Sequence, residues 1–117
     1  MYIKSLLIEL LSQFGYPIYL QGSMSMTEAY PKTFFTIFNN STDGFSHYDN
    51  RSTKTVWNFD VNLYSSDPMT VNEKMIDVIN LLKENKFIID GKGYDVASDE
   101  PTHTGRGITV LYVESEV

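Results

Sequence analysis

Histidine and aspartate are the side chains of this sequence best suited to acid–base or metal chemistry. His47 and Asp49 lie two residues apart, and His103 lies far along the chain. A His–Asp pair can orient a catalytic base, but no serine has the strand–turn–helix setting of a nucleophile, and cysteine is absent. A metal site would need distant loops to converge, and the sequence contains no HxxxH or HExxH spacing that would support one. We therefore expect no catalytic residues, no metal and no organic cofactor.

Two glycine-rich stretches have the composition of phosphate-binding loops. Residues 91–93 read Gly-Lys-Gly and residues 105–107 read Gly-Arg-Gly. Neither has the spacing of a P-loop or of a dinucleotide-binding fingerprint, and neither begins a helix. Both are better interpreted as turns whose glycines need positive φ. The Asp-Gly pair at 90–91 predicts such a turn within a β segment at 87–96.

Length and charge limit the class of protein. The chain has 117 residues, which suits one domain over 1–117 with one modest core. Its net charge of −6 argues against a protein that binds nucleic acid through the phosphates. No apolar run approaches the roughly 20 residues that span a bilayer, so we expect no membrane partner. An acidic surface either keeps the protein soluble or repels DNA.

The elements that must position any site follow from periodicity. A helical stripe covers residues 2–14, and a second amphipathic helix begins after Asp67 and ends near Asn85. Strands are predicted at 18–20, 33–39, 53–64 and 108–114, and a short strand at 87–89 turns at Asp90-Gly91 into 94–96. Segment 23–32 remains open between strand and loop. The order is α-β-β-β-α-β-β. We predict an α+β fold in which both helices pack on one face of a mostly antiparallel sheet.

Strand 53–64 is the predicted centre of the sheet. Trp57, Phe59, Val61 and Leu63 alternate with polar residues, as in a strand with one buried face and one wet face. The apolar face carries the chain's only tryptophan. We therefore expect Trp57 to anchor the sheet beneath both helices.

Residues 39–52 are polar and join the two aromatic strands, which predicts a hairpin with a long loop turning at Asp43-Gly44. The loop also contains Phe45, His47 and Tyr48, whose aromatic surface a solvated loop does not need. Aromatic residues are enriched at protein interfaces, and Arg51 could pair with an acidic neighbour. These four residues are the predicted interface. The alternative is that the loop folds back and its aromatic residues complete the core.

The sequence from Val56 to Ser65, followed by Ser-Asp-Pro and a helix containing Leu-Leu, resembles the small tail-completion proteins of long-tailed phages. These comprise tail terminators and head–tail joining proteins. The resemblance covers most of the chain, because the leading helix, the long hairpin and the closing acidic strand occupy the same places.

This resemblance implies a structural virion protein, not an enzyme, that is assembled in the host cytoplasm. Family members form rings, commonly hexamers, which end the tail tube and join it to the head. Tail-tube and connector proteins are then its partners, and DNA passes through the acidic lumen without specific binding. Two other classes stay open: a small intracellular binding domain or assembly chaperone, and an enzyme with a dispersed site.

Overall fold

A computed structural model describes residues 3–20, 31–48, 51–96 and 102–115. The segment 23–32, which the sequence left open, falls outside this part except for its last two residues. Seven elements follow in the predicted order: α1 (Ile3–Ser12), β1 (Ile18–Leu20), β2 (Thr33–Tyr48), β3 (Arg51–Ser65), α2 (Pro68–Glu84), β4 (Ile88–Val96) and β5 (Thr104–Ser115).

The strands form one mixed sheet in the order β1-β2-β3-β5-β4. β1 pairs with β2 in parallel, and the other neighbouring pairs are antiparallel. The pairing of β4 shifts register between Asp90 and Tyr94. Counting its two paired segments separately gives six strands and the order α-β-β-β-α-β-β-β. The predicted α+β fold with a mostly antiparallel sheet is confirmed.

The core lies between one face of the sheet and the two helices. β3 contributes Phe59, Val61 and Leu63, each with no exposed surface, as the period of two predicts. Trp57 shares their face but is only partly buried at the edge of the core, where its indole N–H donates to Glu114. Phe59, rather than Trp57, therefore anchors the sheet. The helices contribute Ile3, Leu7, Leu10 and Leu11 from α1 and Val71, Met75, Val78 and Leu82 from α2.

The boundaries of α2 agree with the sequence signals. The Asp67 carboxylate accepts a hydrogen bond from the Met69 backbone N–H at 3.0 Å, and Pro68 occupies the first helical position. An aspartate cap and a proline there satisfy or replace donors that the first turn leaves unpaired. Asn85 caps the other end. The cap fixes the direction in which the chain leaves the central strand.

The predicted loop at 39–52 is wrong, because β2 and β3 continue through most of it as a paired ladder. Asp43 pairs with Val56 and Gly44 with Thr55, so Asp43-Gly44 is not the turn. The last pair joins Tyr48 to Arg51. A register shift between Asn39 and Ser41 interrupts the ladder once. The polar composition misled the prediction, because this segment has no regular alternation of apolar and polar residues to indicate a strand.

The predicted glycine turns are half right. Gly91 and Gly93 have positive φ, but they form an irregularity inside β4, whose two halves run in the same direction along β5. Gly105 and Gly107 lie inside β5 with ordinary φ, so they are not turns. Their role is steric.

Candidate functional site

The side of the sheet opposite the helices, here called the open face, keeps much of its surface accessible to solvent. The register places Ile88, Tyr94 and Val113 on it, and their exposed fractions are 51%, 40% and 39%. One end is covered by an aromatic cluster in which Phe34 stacks on Tyr64 at 5.1 Å and meets Tyr19 edge-on. Phe34 is buried in this cluster, and the next residue, Phe35, is buried on the helix side of β2.

A groove with a volume of about 470 Å³ crosses the middle of the open face. Its charged residue is Asp60, which accepts hydrogen bonds from Thr109 Oγ1 at 2.9 Å and Tyr94 Oη at 3.4 Å. Both bonds end on Oδ1 of Asp60. The groove, here called the Asp60 groove, is lined by Phe38, Asn39, Asn40, Asp60, Asn62, Tyr94 and Val96.

Beside Asp60, two buried polar atoms lack a hydrogen-bond partner in the described part of the chain. They are Oγ1 of Thr36 and Oδ1 of Asn62, and the two residues face each other across β2 and β3. Asn62 is only 8% exposed. A buried polar atom without a partner costs about 1–3 kcal/mol. Both atoms are closed to solvent, so a ligand in the groove does not reach them.

Two glycines of β5 make room for the aromatic rings of the open face. A Cβ at Gly105 would lie 2.6 Å from the Tyr64 ring, and one at Gly107 would lie 2.7 Å from the Tyr94 ring and also against Asn62 Oδ1. These distances are too short for real contacts. Glycine at 107 is thus what lets Tyr94 lie across the sheet as a wall of the Asp60 groove.

Gly107→Ala should lower the free energy of unfolding by about 1–3 kcal/mol, the usual cost of inserting atoms into a filled space. Urea denaturation would measure this. Thr104→Ala, at an exposed position of the same strand, is the control and should change stability by less than about 0.5 kcal/mol. A Gly107→Ala protein as stable as the control would mean that Tyr94 does not lie over this glycine.

The second feature is the arm, defined here as residues 45–54 at the far end of the β2–β3 hairpin. β5 accompanies β3 only as far as the pair Lys54–Ser115 among the described residues, and no other described strand pairs with residues 45–54. The molecule is correspondingly long, with principal extents of 53 × 29 × 22 Å. In the part of the chain that the structure describes, the arm is two-stranded, and it carries all four predicted interface residues.

The structure brings these four residues together along one ladder. Phe45 pairs with Lys54, His47 with Ser52, and Tyr48 with Arg51. The side chains of residues 41–48 and 51–54 lie outside the described part. The choice between packing on the chain's own sheet and packing on a neighbour therefore stays a prediction.

The candidates for chemistry remain separated. His103 contacts the Pro31 carbonyl oxygen through Nε2 at 2.8 Å and Thr102 Oγ1 through Nδ1 at 3.0 Å. His47 lies on the arm, and Asp49 is outside the described residues. Across residues 3–20, 31–48, 51–96 and 102–115, no group of three metal-ligating side chains occurs. In the same ranges no helix is long and apolar enough to cross a membrane.

No known family model and no curated protein sequence matches the chain. Function is therefore inferred from the arm and the open face. Sequence reasoning found the arm residues but missed the Asp60 groove. The available signal was the alternation of Asn58, Asp60 and Asn62 along β3, which marked a wet face. Tyr94 joins this face only through the register of β4 on β5, and local sequence does not encode that register.

Proposed function

We propose that this protein is a structural subunit of a long-tailed phage. It forms a ring at the head-proximal end of the tail, ends the tail tube and joins it to the head. The resemblance of the central strand and the following helix to tail-completion proteins supplies the class. The observation that carries the proposal is the arm, because a two-stranded hairpin is marginally stable in water without further contacts.

The arm and the open face are different surfaces of one molecule. A contact between the arm of one copy and another surface of the next copy is heterologous. Such a contact, repeated around an axis, closes into a ring when the rotation allows it. Six copies are the number implied by the resemblance. The neighbours along the tail axis would be the tail tube below and the head–tail connector above.

The net charge of −6 fits a ring through which DNA moves. DNA phosphates are attracted by clustered lysine and arginine, and an acidic wall repels them. The ring would therefore let the genome pass without binding it specifically. The proposed role is mechanical and needs no catalytic residue, cofactor or membrane.

A small binding domain or assembly chaperone is the second candidate. The exposed apolar side chains Ile88 and Val113 on the open face favour it, because such surface often marks a protein contact. A chaperone of this kind would be a monomer or a dimer, whereas a terminator is a closed ring. Oligomeric state separates the two.

Negative-stain electron microscopy of the purified full-length protein tests the proposal. We expect ring-shaped particles of uniform diameter with a central opening. Mixing the protein with isolated tail tubes should place one ring at a single end of each tube. Particles without rings, together with no binding to tube ends, would contradict the proposed function and favour the chaperone.

A further inference from the structure

The Asp60 groove has the chemistry of a socket for a cationic side chain. Its charge comes from the carboxylate of Asp60, and hydrogen bonds within the described part of the chain reach only Oδ1. The rings of Phe38 and Tyr94 line the same space. A guanidinium group can donate two parallel hydrogen bonds to one carboxylate, and it also stacks on aromatic rings. An arginine satisfies both features.

The chain has two arginines, and neither can fill this groove in its own molecule. Arg106 binds Asp95 at 3.0 Å through Nη1. Arg51 begins β3, nine residues before Asp60 on the same extended strand. At about 3.4 Å per residue, this places the two backbones roughly 30 Å apart. An arginine side chain spans only a small part of that distance.

We propose that Arg51 at the arm of one copy inserts into the Asp60 groove of the neighbouring copy. The inference rests on the proposed ring and names the surface that its arm would contact. The guanidinium binds Asp60 and packs against Tyr94. The arm and the groove are separated along β3, so each copy gives an arm to one neighbour and receives one from the other.

Charge reversal provides the first test, with assembly measured by analytical ultracentrifugation. Arg51→Asp and Asp60→Arg alone should each raise the apparent dissociation constant between subunits by at least ~30-fold. The double variant Arg51→Asp/Asp60→Arg should recover most of the loss. Asp77→Arg on α2 is the control and should assemble normally, because Asp77 is exposed and contacts Lys74 at 3.9 Å. Circular dichroism checks that every variant is folded.

Cross-linking provides a second test that leaves Asp60 and its hydrogen bonds intact. The chain contains no cysteine, so Ser52→Cys/Asn40→Cys introduces the only two thiols, one on the arm beside an intact Arg51 and one at the exposed rim of the groove. Oxidation should produce a ladder of covalent oligomers on a denaturing gel. Ser52→Cys/Asn72→Cys, with the second thiol on the exposed side of α2, should produce far fewer.

The outcomes separate this inference from the proposed function. If both single charge-reversal variants still form rings and the thiol pair gives no ladder, the contact between Arg51 and the Asp60 groove is wrong but the proposed ring stands. A ladder that stops at covalent dimers, with no rings in the unmodified protein, would support the socket and overturn the ring. A protein that stays monomeric at every concentration would overturn both.

Discussion

Replacing Phe59 with alanine should lower the free energy of unfolding by about 3–5 kcal/mol, the usual cost of removing a buried aromatic ring. Phe59 is fully buried in the central strand, and its neighbours on the same face are fully buried as well. The surrounding side chains relax only in part into the space left by the ring, so a cavity remains. Native domains are stable by only about 5–15 kcal/mol, so the loss is a large share of the total. Urea denaturation followed by circular dichroism would measure it.

Trp57→Ala is the matched control, because it removes a larger ring from the same face of the same strand. Trp57 is only partly buried, so part of its surface is already in water, and we expect a smaller loss than for Phe59→Ala. The hydrogen bond from the indole to Glu114 would also be lost. If Trp57→Ala proved the more damaging change, the centre of the core would lie nearer the arm than the structure places it.

Shortening the arm should abolish ring formation while the domain remains folded. Residues 46–53 would be replaced by Asn-Gly, which joins the paired residues Phe45 and Lys54 through a two-residue hairpin turn. The described pairs between β3 and β5 run from Lys54 to Ser65 along β3, and the shortened variant keeps all of them. The change removes His47, Tyr48 and Arg51. Light scattering should give the mass of a monomer, and circular dichroism should match the parent.

A full-length variant with the same turn is the control for this experiment. Asp49→Asn/Asn50→Gly places Asn-Gly between the paired Tyr48 and Arg51 and keeps the arm at its original length. It should form rings like the parent. Equal ring formation by the shortened and the full-length variants would remove the arm from the interface.

The sequence was sufficient for the elements whose signals are local. Alternation from Trp57 to Leu63 predicted the buried face of β3, and Asp67 with Pro68 predicted the start of α2. These signals work because side-chain period and capping depend on residues within a few positions of each other. The fold class followed, since two amphipathic helices need one apolar sheet face.

Features that depend on pairing between distant residues were not predicted. Gly105 and Gly107 read as turns, yet each makes room for a tyrosine that lies 41 and 13 positions away, Tyr64 and Tyr94 respectively. The sequence of the arm predicted a loop, because its residues lack the regular apolar–polar alternation that indicates a strand. The Asp60 groove required the same information, since strand register brings Asp60, Asn62 and Tyr94 together.

The central claim is that this chain assembles into a closed ring, and native mass spectrometry of the untagged full-length protein tests it most directly. We expect one dominant species whose mass is an integer multiple of the 13.4 kDa chain, with six as the number that the resemblance implies. Dilution should produce monomers with few intermediates, because an open chain of subunits has lost a contact that the ring retains. A monomer or dimer as the largest species across all concentrations would contradict the account.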